Sequence, residues 1–135
     1  EDIARRSYAE AYDHIGAQRI GGSIWEADLD TTHPLGFGYR RRFLPVWRDH
    51  NFFFAPSESE HSTVAQLVDD DPWLAGYISD QNREWLQGSP SVMVDRFGRG
   101  TVVLLVDNTN FRGYWRGTNR LFLNAVFFGD QIRVP

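Results

Sequence analysis

The chain has 135 residues, enough for one hydrophobic core and too few for two domains of ordinary size, so residues 1–135 read as a single unit. Apolar residues make up 41% of it, and the aromatics (Phe 10, Trp 5, Tyr 5) can bury large areas, which excludes a disordered chain. The net charge of -4 argues against a nucleic-acid partner, and the absence of cysteine excludes disulfides, thiolate metal sites and a cysteine nucleophile.

All 14 basic residues are Arg, and apart from Arg40, Arg41 and Arg42 they are spread along the chain. No apolar run reaches the roughly 18 residues that a membrane-spanning helix needs, and the charged N-terminus does not read as a signal peptide. Helical character from the first residues reads as a fragment cut from a longer protein.

In chain order, the larger apolar residues between Ile3 and Ile15 (Tyr8 and Tyr12 among them, with Ala4 and Ala11 beside) fall near one helical face. Asp2 can cap this helix and Gly16 can end it. Ser23 to Asp30 alternates as a half-buried strand does, with Trp25, Ala27 and Leu29 on one side and Ile24, Glu26, Asp28 and Asp30 on the other. After a break at Thr31 to Pro34, Phe43 to Trp47 and Phe52 to Ala55 are strand candidates, the first interrupted by Pro45 and the second closed by Pro56. Ser57 to Asp71 is polar and acidic, with a short helix expected at Thr63 to Val68.

Ser91 to Arg96 and Thr101 to Val106 flank a glycine-bearing turn, which predicts a β-hairpin. The unbroken apolar run of Thr101 to Val106 predicts a central strand covered on both faces. After a polar turn at Asp107 to Asn110, a final helix is expected over Thr118 to Phe128, capped by Thr118 and closed by Gly129. It is apolar nearly all round, as a helix buried on most sides would be, against this domain or another.

The candidate chemistry is sparse. His14, His33, His50 and His61 show none of the short spacings that place two metal ligands on one helix face, and each reads as structural or surface. No G-x-S-x-G elbow is present. Carboxylates abound (Glu58, Glu60, Asp69, Asp70, Asp71, Asp95, Asp107), but acidic runs in loops are usually solvated faces. A hydrolase with paired carboxylates would need two of them brought together by the fold. The expected site residues are therefore binding residues: Asp107, Asn108, Asn110 and Arg112, which follow the carboxyl end of the expected central strand, together with Arg116. Asp and Asn also favour tight turns, so turn architecture is the plainer reading of this segment. No catalytic and no metal-ligating residue is assigned.

His33 to Tyr39 (HPLGFGY), Gly98 to Asp107 (GRGTVVLLVD) and Asn110 to Gly129 (NFRGYWRGTNRLFLNAVFFG) together resemble the class I glutamine amidotransferase-like domain at the C-terminus of certain bacterial zinc-carboxypeptidase-like proteins. The resemblance spans about Ile20 to Asp130. It implies an α/β fold, a flavodoxin-like three-layer sandwich lacking its first strands. It also implies a periplasmic or secreted location and a parent protein that is a metallopeptidase, a hydrolase of the zinc carboxypeptidase class. Two departures limit it. Without cysteine, amidotransferase activity does not carry over; without an H-x-x-E pair, zinc belongs only to an upstream domain and this domain carries no cofactor.

The resulting expectation is a non-catalytic accessory domain. Its partner is the upstream peptidase domain, with a second copy of the chain as a further candidate and neither nucleic acid nor a membrane span involved. The alternatives are a carbohydrate- or peptide-binding module using Trp47, Trp73 or Trp85, and a small carboxylate-dependent hydrolase. Within the resemblance, His33 before Pro34 holds the chain extended. Gly36 and Gly38 allow close backbone approach. Arg112 and Arg116 flank Trp115, where they hold the Asp107 carboxylate or receive the carboxylate of a peptide terminus. Trp47, Phe52, Phe53, Phe54, Trp73 and Trp85 read as exposed interface aromatics, or else as core.

Overall fold

The computed structural model describes residues 5–134. Six strands, β1 (Ser23–Leu29), β2 (Phe43–Arg48), β3 (Thr63–Leu67), β4 (Trp73–Gly76), β5 (Pro90–Phe97) and β6 (Gly100–Leu105), form one sheet. With them are three helices, α1 (Ala11–Ala17), α2 (Asp80–Leu86) and α3 (Asn119–Phe128). The strand order is β2-β1-β3-β5-β6, with β4 paired to β1 beyond the end of β3, and every pairing is antiparallel. The chain is thus mixed α/β, but the flavodoxin-like expectation does not fit it, because that fold is built on a parallel sheet with helical crossovers.

The alternation of β1 works as its sequence predicts. Trp25, Ala27 and Leu29 are buried while Ile24, Glu26 and Asp28 are half-exposed. The indole of Trp25 is fully enclosed and donates to Ser23 Oγ at 2.6 Å, so its polar atom is satisfied inside the core. Leu44 and Val46 of β2, Val64 and Leu67 of β3, and Val92 and Val94 of β5 complete the inner face. Leu35, Leu86, Leu121 and Ile132 close it from turns and helices. Each fully buried aliphatic side chain contributes about 1.5–3 kcal/mol. Pro45 does not break β2. It faces Glu26 across the pair, and Glu26 N–H points to the other side, to Pro72 O at 2.7 Å, so the proline sits on the edge strand where no ladder donor is lost.

Several elements depart from the sequence expectation. The helix expected over Thr63 to Val68 is instead the strand Thr63–Leu67: its apolar residues satisfy either period, and pairing with β1 on one side and β5 on the other decides for extended chain. The centre of the sheet is therefore β1 and β3, whereas β6 pairs only with β5 and leaves Val102 52% and Leu104 37% exposed. The hairpin itself is present, with Gly98 at a φ of 61° in a two-residue loop. Phe52 to Ala55 is irregular, not a strand. At the N-terminus a 3₁₀ turn at Tyr8–Glu10, with Ser7 Oγ accepting from Ala9 N–H, precedes α1; the expected cap Asp2, together with Ile3 and Ala4, lies outside the described residues. Tyr8 and Tyr12 are exposed, so this helix buries no apolar stripe. β4 and α2 had no sequence prediction; Ser79 caps α2 by accepting from Asn82 N–H.

α3 covers nearly the expected residues, but Thr118 does not cap it, its Oγ1 donating instead to Thr109 O at 2.9 Å, Gly129 stays right-handed, and the helix is not enclosed. Only Leu121 and Asn124 are buried, while Phe122, Leu123, Val126 and Phe127 are exposed. Asn124 anchors the helix by donating to Leu35 O (2.7 Å) and Phe37 O (2.9 Å) in the turn that follows β1. That turn is opened by His33, whose Nδ1 accepts from Leu35 N–H at 3.1 Å, and Gly36 packs so close to Asp30 O that an added Cβ would lie 2.5 Å from it. Burial pushes the His33 imidazole below its ordinary value, against the pull of Asp30.

A histidine held neutral in the folded state loses stability as pH falls, because the unfolded chain takes up the proton more readily. Thermal melts from pH 7.5 down to pH 5 are expected to show a falling Tm below the ordinary histidine value of about 6.5. The variant His33→Asn keeps a capping acceptor and should flatten that slope; an unchanged slope would remove His33 as its source.

Candidate functional site

The segment after β6 carries the residues expected from sequence to bind, and the structure distributes them. Asp107 is buried and pairs with Arg48, Nε to Oδ1 at 2.7 Å, with side-chain exposures of 2% and 0%. Arg48 Nη1 also donates to Phe52 O at 2.9 Å. The expectation that Arg112 or Arg116 holds this carboxylate is thus corrected: a residue 59 positions upstream does so. The sequence did contain a signal for Arg48, which shares the inward phase of β2 with Leu44 and Val46. A charge at such a position requires a buried partner.

The ion pair belongs to a seam where the two edges of the curled sheet meet. Asn108 N–H donates to Trp47 O at 3.1 Å, and His50 Nε2 donates to Val106 O at 2.7 Å while its Nδ1 accepts from Phe52 N–H. These contacts make His50 a structural residue. Trp47 stacks on Phe111 with centroids 4.1 Å apart and lies 6.3 Å from Trp115, closing the outside of the seam.

Asn108 turns the chain, its Oδ1 accepting from Asn110 N–H at 3.2 Å. Both asparagines are exposed, so the plainer turn reading accounts for their contacts. Arg112 takes a left-handed φ of 50° and places its guanidinium 5.2 Å from the Phe111 ring centroid. Arg116 faces elsewhere, into an open groove of about 370 Å³ whose lining includes Arg40, Arg41, Arg120, Tyr39 and Phe43. Tyr39 is held there by donating to Gly117 O at 2.9 Å, and burial pushes its hydroxyl up to about 12, against the Leu121 backbone contact and Arg120.

Two carboxylates do share a cavity, of about 360 Å³, where Asp28 and Asp30 leave the outer face of β1. Both are engaged. Asp28 receives Nε and Nη2 of Arg42, each at 2.5 Å, and Asp30 accepts from Thr32 N–H (2.8 Å) and Thr32 Oγ1 (2.6 Å). The Thr32 hydroxyl holds the Asp30 carboxyl below its ordinary value, which is the reverse of what a general acid requires. Among the described residues no three His, Asp or Glu side chains gather to hold a metal ion.

The tryptophans do not form one platform. Trp47 is covered by Phe111; Trp73 carries the Arg83 guanidinium 4.7 Å from its ring centroid and donates Nε1–H to Gly76 O. Trp85 is exposed and meets Phe53 edge-on at 5.8 Å. Of the expected interface aromatics, Phe52, Phe53, Phe54 and Trp85 are therefore at the surface, and Trp47 and Trp73 are half-buried. Compared with protein-family models, curated proteins and solved structures, the chain matches none.

Replacing Arg48 by Met strands a buried carboxylate, and the expected loss is about 3–5 kcal/mol, read as a lower midpoint in urea denaturation. The double variant Arg48→Met/Asp107→Leu should regain most of it. A single variant as stable as the wild type would show that the pair does not hold the seam.

Proposed function

We propose that this chain is a non-catalytic interaction domain, accessory to a bacterial zinc-carboxypeptidase-like protein, whose peptidase domain packs against the outer face of α3. The observation that carries this reading is that face. Phe122, Leu123, Val126 and Phe127 stand 44–73% exposed on a helix whose inner side is already anchored through Leu121 and Asn124. Covering such side chains contributes about 1.5–3 kcal/mol each, and exposed apolar patches mark contact surfaces. The choice of peptidase as partner rests on the sequence resemblance, as do the zinc of the upstream domain and the periplasmic or secreted location.

A paired-carboxylate hydrolase is disfavoured because Asp28 and Asp30 are both engaged. A carbohydrate- or peptide-binding module has less support, because Trp47 and Trp73 each have a ring face covered and only Trp85 of the three candidate rings stands exposed.

The purified chain is expected to hydrolyse no C-terminal peptide bond, with or without added zinc. Turnover lost on a single side-chain replacement would overturn the non-catalytic reading. In sedimentation velocity, the chain should form a complex with the peptidase domain of the same gene product. Val126→Asp and Phe127→Asp, at exposed positions, should each weaken that complex by about tenfold or more while leaving Tm unchanged. A chain that ignores the peptidase domain, or that self-associates through this face instead, would overturn the docking.

A further inference from the structure

The arginine triplet that interrupts the otherwise even spread of basic residues is divided by the fold. Arg42 turns to β1 and pairs with Asp28. Arg40 and Arg41 line the groove just before β2, joined there by Arg116 from the segment that leads into α3 and by Arg120 in the first turn of that helix. Four guanidinium groups thus border one hollow of about 370 Å³, and the residues that complete its lining are Gly38, Tyr39, Phe43, Leu44 and Gly117, without a carboxylate among them. Among the described residues none of the four arginines forms an ion pair.

On a chain of net charge -4 this is a local reversal of sign. A contrast lies at the hairpin end. Arg96, Arg99 and Arg133 also share a hollow, but Asp130 is part of its lining.

The walls of the arginine groove are fixed. Arg120 Nη1 donates to Gly38 O at 2.5 Å, its guanidinium lies 5.7 Å from the Tyr39 ring centroid, and Tyr39 Oη donates to Gly117 O. These bonds join segments about eighty residues apart in sequence and so bring the two pairs of arginines to one opening. Arg120 thereby spends one donor on the framework, while Arg40, Arg41 and Arg116 make no side-chain hydrogen bond among the described residues. The guanidinium fork matches the two oxygens of a carboxylate or the oxygens of a phosphate, and several forks around one opening match a ligand that carries more than one such group. The exposed ring of Phe43 adds an apolar wall.

We propose that this groove is a binding site for a multiply charged oxyanion, a molecule bearing two or more carboxylate or phosphate groups, held by Arg40, Arg41, Arg116 and Arg120. The site is separate from the apolar face of α3 and does not depend on the identity of the partner docked there.

The test is titration calorimetry of the purified chain in chloride buffer at constant ionic strength. Citrate represents the carboxylates and pyrophosphate the phosphates. At least one should bind saturably, and the tighter of the two names the ligand class. Arg41→Ala and Arg116→Ala make no framework contact, so each is expected to fold normally and to weaken binding by about tenfold, the loss of one charge-assisted contact. Arg99→Ala, in the hollow that contains Asp130, should leave affinity unchanged. Raising the salt from 50 to 200 mM should weaken binding further, as for any contact between exposed charges. No saturable heat with either anion, or equal affinity in wild type, Arg41→Ala and Arg116→Ala, would overturn the proposal.

Discussion

The ion pair between Arg48 and Asp107 is the contact on which the arrangement of the rest depends. It joins the last residue of one edge strand to the segment leaving the other, and so closes the curl of the sheet at that end. Removing both charges from water is expensive, and Nη2 of Arg48 and Oδ2 of Asp107 find no hydrogen-bond partner among the described residues. The pair is therefore better understood as fixing which edges meet than as a surplus of stability. A hydrophobic replacement could supply equal energy without specifying the register of Asn108 against Trp47.

That closure separates the roles of the two sides of the molecule. Inside, Trp25, Leu29, Val46, Leu67 and Val92 give an apolar core in which the Trp25 indole is hydrogen-bonded. Outside, the segment after β6 is carried across the seam and into α3, where Asn124 grips the turn after β1. The helix is thus anchored through its narrow inner stripe, and its wider apolar face is left outward. The same path brings Arg116 and Arg120 to the groove that Arg40 and Arg41 also line. An apolar face and a cationic groove both arise from the way one terminal segment is laid over the sheet.

The residues singled out between Asp107 and Arg116 did gather important structure, though for mixed reasons. Asp107 is part of the seam, Asn108 and Asn110 shape a turn, and Arg112 covers a neighbouring ring. Arg116 lines an open groove. Their common signal was polarity after an apolar strand, and that signal does not distinguish a buried counter-ion from a turn former, since both demand short polar side chains with free acceptors. Arg48 carried the clearer signal, an inward position in an alternating strand, but its partner was not legible because ion pairs form across space and leave no spacing in sequence.

Local pattern determined what local physics controls. The alternation of β1, the hairpin at Gly98 and the extended backbone of His33 before Pro34 depend on residues close to each other in sequence, and these were legible. Tertiary structure decided what depends on neighbours. Thr63 to Leu67 became a strand because ladders were available on both of its edges, and β6 stayed at the rim because nothing paired beyond it. The antiparallel direction of the sheet, the partner of Asp107 and the grouping of four arginines belong to the same class. Each is a meeting of segments distant along the chain, and composition and period carry no record of such meetings.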